Sequence, residues 1–181
     1  GKLEKAIACY TKAIELSPNY ADAHNNIGNA LQEQGKLDEA IEAYKKSISI
    51  KSDNADAHVN LSYALLNCGR LREGFDEYEW RWKKKELLSK KRYFPKPLWD
   101  GKQSLNRKKI LLWSEQGIGD TILWASMIPS LISQTEHCIL ECQKKIVPLL
   151  ESSFPNVEVK PENRSLDFDR DDFDFHLPMG S

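Results

Sequence analysis

No window of this sequence holds 18 consecutive apolar residues, so no transmembrane helix is expected. Cysteine is sparse. Cys9, Cys68, Cys138 and Cys142 are scattered, and Cys138-x-x-x-Cys142 has no His or Cys set at zinc spacing. That argues against a disulfide scaffold and a zinc module, and leaves buried, reduced thiols in a cytoplasmic protein as the expectation. Glycine (nine) and proline (eight) are too few for a collagen-like or low-complexity chain. The opening Gly1-Lys2-Leu3-Glu4 has neither an initiator Met nor an apolar signal core, so an excised piece of a longer product is expected. What is present is an ordinary mixture of 181 residues, 40% apolar and 29% charged, able to bury one large core or two small ones.

The net charge of −1 conceals an uneven distribution. Residues 1–82 carry 10 basic and 13 acidic side chains, residues 83–109 carry 11 and 2, and residues 110–181 carry 5 and 12. Two acidic blocks are therefore joined by a basic strap. The expected organisation is a repeat array over 1–82, a basic, Pro-containing linker over 83–106, and an α/β domain over 107–181.

The first block repeats with a period of 34. Gly1, Gly35 and Gly69 share one position; so do Leu3, Leu37 and Leu71; Ala6, Ala40 and Gly74; and Tyr10, Tyr44 and Tyr78. Ala23-His24 recurs as Ala57-His58, and Ala30-Leu31 as Ala64-Leu65. This period and its small/aromatic pattern resemble the tetratricopeptide repeat (TPR), a helix–turn–helix unit. Two repeats run over 21–54 and 55–88, and residues 1–20 supply the second helix of a preceding one. Ala40, Ile41, Tyr44 and Ile48 form an apolar helical stripe. Small residues at Ala6, Gly28 and Ala40 allow close helix approach, and Gly35 and Gly69 fit the left-handed position that ends a helix. His24 and His58 fall at a large packing position and read as interhelix contacts, not as ligands.

A stacked array of this kind offers a concave face to a protein or peptide segment. Asn26 and Asn60 share a repeat position, with Asn25 and Asn29 nearby. The TPR superhelix of the O-linked N-acetylglucosamine transferases carries Asn at this position as a ladder that grips peptide backbone. An amide suits that task because it both donates and accepts. A solvated polar helix face is the competing reading. The Lys/Arg clamp of chaperone-binding TPRs is absent from these positions.

Just before the strap, on the continuation of the third repeat's second helix, Tyr78, Trp80 and Trp82 form an aromatic cluster, read as a docking surface for the next domain. Lys83-Lys84-Lys85 and Lys90-Lys91-Arg92 follow, and Pro95 and Pro97 impose an extended run. No nucleic-acid module accompanies these charges, so nucleic acid is not the expected partner. They read as solvated or as complementary to the acidic blocks.

In the last block, residues 109–113 read as a buried parallel strand. A helix over 121–133, a strand over 138–142, a helix over 144–153, and strands over 157–159 and 173–177 follow. Strand–helix alternation implies a parallel sheet with ligands at the strands' carboxyl ends. The loop Ser114-Glu115-Gln116-Gly117-Ile118-Gly119-Asp120 leaves the first strand at that edge. It lacks the third glycine of a dinucleotide fingerprint. Asp167-x-Asp169-x-Asp171 lacks the Gly and Glu of a calcium loop and reads as a solvated acidic loop, with no metal site expected.

Phe94-Pro95-Lys96-Pro97-Leu98-Trp99-Asp100-Gly101, the loop 114–120 with Thr121, and Asp174-Phe175-His176-Leu177-Pro178 resemble a bacterial family. That family fuses TPR arrays to a glycosyltransferase-like domain related to the heptosyltransferases. The resemblance implies a partial Rossmann-like (GT-B N-terminal half) domain, unfinished at Ser181, with a nucleotide-sugar donor held by a second domain outside this chain and no cofactor in the chain itself. It implies Asp120 as candidate general base, Glu115, Gln116, Gly117, Gly119 and His176 as acceptor-loop residues, and a departure at Leu123, where relatives carry Gln. Asp120 equally suits the role of a helix cap. Two functions stay open. The chain is the front portion of a glycosyltransferase that by itself only binds, or it is a TPR scaffold with a degenerate α/β appendage.

Overall fold

The computed structural model describes residues 1–165 and 167–181. They form two compact units, Gly1–Ser89 and Lys90–Ser181. The boundary between them falls within the basic segment.

The N-terminal unit is helical. Its helices are α1 Lys2–Leu16, α2 Ala21–Glu33, α3 Leu37–Ile50, α4 Ala55–Asn67 and α5 Leu71–Tyr78, followed by a 3-10 turn Glu79–Lys83 and the short α6 Lys85–Leu88. The 34-residue period survives in the geometry. Gly35 and Gly69 end α2 and α4 with φ of 77° and 73°, a region where side-chain-bearing residues are strained. Leu31, Ala40, Ile41, Tyr44, Leu61, Ala64 and Leu65 form the buried core between α2, α3 and α4. Asn54 caps α4, its Oδ1 accepting from the Ala57 amide at 3.3 Å.

The third repeat departs from an ideal helix pair. Its second helix stops at Tyr78 and tightens into the 3-10 turn. Trp80 stacks on the His58 ring at 3.6 Å. The buried Arg81 guanidinium sits 4.4 Å from the Tyr78 ring and 4.8 Å from Trp82. His58 is thereby a packing residue whose Nε2 faces the Ser52 carbonyl at 3.1 Å.

The C-terminal unit is α/β. Strands β1 Lys109–Trp113, β2 His137–Cys142, β3 Glu158–Pro161 and β4 Phe175–Pro178 make one parallel sheet in the order β3-β2-β1-β4. The expected helix over 121–133 is two helices, α7 Ile118–Ala125 and α8 Ile128–Ile132, with Pro129 in the first turn of α8. The expected helix over 144–153 is a 3-10 turn Lys144–Ile146 followed by α9 Val147–Ser153, which opens on Pro148. Both breaks follow from proline, which lacks an amide and is tolerated only at a helix start.

The sheet has two unlike faces. Ile110, Leu112, Cys138, Leu140, Cys142 and Val159 point to one side and pack under Ala125, Ile128 and Leu150 of α7, α8 and α9. Leu111, Trp113, Ile139, Glu141 and His176 belong to the other by alternation and register. The steps β1 to β2 and β2 to β3 run in one direction and put their helices on the first face. The step from β3 to β4 reverses direction, and a right-handed crossover then passes over the second face. Residues 162–174 do so, bringing Asp167, Arg170 and Phe173 there. Pro97 and Trp99 extend the sheet beyond β4, exchanging backbone hydrogen bonds with His176 at 3.2 and 2.9 Å.

Cysteine burial is split. Cys138 and Cys142 lie in β2, and burial raises their thiol pKa values to about 12 and about 11. Cys9 and Cys68 are exposed, contrary to the expectation that all four are buried.

Candidate functional site

The first candidate surface is the shared face of α2 and α4. Helix periodicity brings Asn25, Asn26 and Asn29 of α2 toward Asn60 of α4. Asn60 Nδ2 donates to Asn25 Oδ1 and to Asn29 Oδ1, both at 3.0 Å. Tyr44 of α3 donates its hydroxyl to Asn29 Oδ1 at 2.9 Å and to Gln32 Oε1 at 3.1 Å. Burial, with the Glu33 charge adding to it, raises the Tyr44 pKa to about 12, so this hydroxyl keeps its proton. Asn25 and Asn29 are thus structural, tying the two repeats together. Asn26 makes no side-chain hydrogen bond among the described residues, and Asn60 Oδ1 accepts none. The sequence pattern gave Asn26 and Asn60 identical standing, but their surroundings differ because Asn25 is replaced by Val59 one period later.

The second candidate is the loop after β1. It stands at the carboxyl end of the sheet, beside the reversal between β1 and β4. Asp120 is partly exposed, and its Oδ2 accepts from the Gly117 amide at 3.1 Å, holding the N-terminus of α7. Thr121 Oγ1 donates to the Gly117 carbonyl at 3.0 Å and to Gln143 Oε1 at 3.2 Å. Gln143 Nε2 donates to the Gln116 carbonyl at 2.6 Å, so the loop is tethered to the end of β2. Glu115 is buried, with Gln116 Nε2 donating to it at 3.3 Å. Ser114 is buried too, and its hydroxyl has no hydrogen-bond partner among the described residues. Space beside Gly119 is open: an added Cβ would meet nothing within 4 Å.

The structure separates His176 from this loop. It sits inside β4, opposite Leu111, and is buried. Trp113 Nε1 donates to its Nδ1 at 3.3 Å, and Phe94 lies 4.7 Å away ring to ring. Burial, helped by the Arg92 charge, lowers the His176 pKa to about 4, so the ring is neutral near pH 7. The resemblance groups His176 with the acceptor-loop residues; alternation instead turns it into the second face's aromatic cluster.

Sequence reasoning also missed the charge cluster on that face. Arg92 is buried, not solvated with its neighbours Lys90 and Lys91. Its guanidinium binds Asp167 and reaches Glu141 Oε2 at 2.6 Å. Arg170 binds the other oxygen of Glu141 and grips Asp172 with two bonds of 2.8 Å. Burial depresses the Arg92 pKa, but its bonds to Asp167 and Glu141 outweigh that and hold it above the ordinary arginine value. Asp167 is accordingly buried, a correction to its reading as a solvated acidic loop. The available signal was Glu141 itself, one carboxylate inside the apolar run 138–142, which needs a buried cation.

Residues 1–35 and 28–69 match the family model of the TPR repeat. Protein FlbA of Caulobacter vibrioides is 34% identical over 64 residues, which are 34% of this chain and 11% of that protein. The chain thus spans about a tenth of this curated relative. Among solved structures, MamA is 32% identical with a TM-score of 0.44, covering 50% of this chain and 53% of its own. The second TPR of Spaghetti (RPAP3), solved bound to an HSP90 peptide, is 28% identical with a TM-score of 0.43, covering 44% of this chain and 74% of its own. The helix pairs, the 34-residue period and the family match agree: the N-terminal unit of this chain is a TPR solenoid.

Proposed function

We propose that this chain is a protein-interaction module whose TPR unit docks an extended polypeptide segment along α2 and α4. The observation that carries this reading is the pair Asn26 and Asn60, one repeat apart. The Asn26 amide is uncommitted, and the Asn60 carbonyl oxygen is oriented by an amide nitrogen already bound to Asn25 and Asn29. Each offers a backbone amide the complementary donor or acceptor. The half-exposed ring of Tyr63 lies on the same helix as Asn60. Peptides selected against the intact chain are expected to lose affinity about tenfold on Asn26→Ala, a typical worth for hydrogen bonds at an interface. They are also expected to lose it when their own backbone amides are methylated. Affinity indifferent to both changes overturns the reading.

A second reading concerns the α/β unit. The parallel order β3-β2-β1-β4, with residues 114–120 at the reversal beside β1, is where open sheets place ligands. It supports a partial Rossmann-like domain that holds an acceptor hydroxyl, with the nucleotide-sugar donor bound elsewhere in a longer gene product. In this reading Asp120 takes the proton of the acceptor hydroxyl as the hydroxyl oxygen bonds to the anomeric carbon and the bond from that carbon to the phosphate oxygen breaks, the nucleotide departing as the leaving group. Glu115, Gln116, Gly117 and Gly119 shape the approach. The 181-residue chain alone is then expected to transfer no sugar. The longer product is expected to transfer it and to lose about 100-fold or more on Asp120→Asn. Turnover by the short chain, or full activity of the variant, overturns it.

A further inference from the structure

A groove on the N-terminal unit matches a basic, leucine-tipped segment of the same chain. Glu73, Asp76 and Glu77 of α5 stand at i, i+3 and i+4 and so share one helix face. They form the wall of a cavity of about 370 Å³ whose floor is Ile48, Leu61 and Leu65. Arg70 partners Glu73 and His58 partners Glu77, whereas Asp76 makes no ion pair among the described residues. Across the groove lies Lys45, which is itself bonded to Glu42 at 2.9 Å. An apolar floor beside an acidic wall selects an aliphatic side chain flanked by cations.

That chemistry exists in the strap. Lys83, Lys84 and Lys85 lead into α6, whose Leu88 is 47% exposed. Lys84 is bonded to Asp56 at 2.6 Å and Lys83 lies 3.5 Å from the Trp80 ring centre. These contacts anchor the segment to the unit and leave Leu88 outward. Lys85, beside it, is exposed. No residue of 79–88 lines the groove. Groove and tip are thus different surfaces, and their pairing between copies is head-to-tail.

We propose that the occupant is a second copy of this chain, its Leu88 seated over the floor of Ile48, Leu61 and Leu65 and its Lys85 against Asp76. The test is sedimentation of the intact chain. The wild-type mass is expected to rise with concentration at about 50 mM salt and to fall toward the monomer at about 500 mM, because the wall charges are screened. Glu73→Gln/Asp76→Asn and Leu88→Ser are each expected to weaken association about tenfold or more, with circular dichroism unchanged. A mixture of the two variants is expected to form a one-to-one dimer, since one intact groove and one intact tip remain. Asn26→Ala is expected to associate as wild type, which separates this contact from the peptide-docking face. A wild type that stays monomeric overturns the proposal, as do variants that associate normally or a mixture that does not pair. So does a strap peptide that binds the groove without self-association of the chain.

Discussion

Gly28 of α2 lies against the ring of Tyr44 in α3: a Cβ built on Gly28 would stand 2.5 Å from Tyr44 Cε1. Tyr44 is fully buried, and its hydroxyl is fixed by Asn29 and Gln32, so the ring has no direction in which to give way. Gly28→Ala is therefore expected to cost the TPR unit up to about 3 kcal/mol of overpacking. An alanine gains roughly 1 kcal/mol over glycine inside a helix, so the variant is expected to be net destabilising by up to about 2 kcal/mol. Gly119→Ala, facing open space in α7, is expected to be neutral or slightly stabilising. Guanidinium denaturation followed by helical circular dichroism measures both, and equal behaviour of the two variants contradicts the close-approach account.

The contrast shows what was legible in the sequence. The repeat unit was readable because each position's role is set by neighbours one helix away and returns every 34 residues: Gly28, Ala40, Tyr44, Gly35 and Gly69 all fall where the period puts them. The strands of the sheet were readable too, as short apolar runs. The second face of the sheet was not. Arg92 meets Glu141 and Asp167 across 49 and 75 residues of chain, so Lys90-Lys91-Arg92 reads locally as a solvated run. His176 was misplaced for a related reason: whether it sits inside a strand or at its end depends on register with Leu111, and register is a property of the paired sheet. Asn25 and Asn29 looked like binding residues because nothing local announces that Asn60 will claim them.

Stability of the C-terminal unit is expected to fall as pH is lowered from about 6.5 toward 4. Burial first, and the Arg92 charge second, bring the folded His176 pKa down to about 4 from 6.5, with the Asp167 charge opposing. Between those values the unfolded chain binds a proton that the folded chain refuses, so unfolding is favoured as protons are added. The loss reaches about 3 kcal/mol at the lower end and is absent above about pH 7. Denaturation monitored by tryptophan fluorescence at pH 7 and at about pH 4.5 tests this. His176→Gln, which does not titrate, is expected to flatten the dependence over this interval. A slope unchanged in the variant assigns it to other groups. Asp172 and Asp174, held below the ordinary carboxylate range by Arg170 and by the Lys109 amide respectively, and Glu158, held down by Lys160 and His137, add to the loss below about pH 5, so His176→Gln is expected to flatten the dependence chiefly above that pH.

Arg92 is expected to be the most costly surface-looking cation to remove. Arg92→Met leaves Glu141 with Arg170 alone and leaves Asp167 buried without its guanidinium. Breaking a buried pair from one side costs about 3–5 kcal/mol, because the desolvation of the remaining charge goes uncompensated. Lys91→Met, one residue earlier and exposed, is expected to change stability by less than about 0.5 kcal/mol. The combined variant Arg92→Met/Glu141→Met/Asp167→Asn removes the orphaned carboxylates, while Arg170 retains Asp172. It is expected to recover part of the loss, so the three substitutions are strongly non-additive. Urea denaturation of six proteins (wild type, Lys91→Met, the three single variants at Arg92, Glu141 and Asp167, and the triple variant) measures the coupling. Additive losses, or an Arg92→Met variant as stable as Lys91→Met, show that the guanidinium is not what neutralises the second face of the sheet.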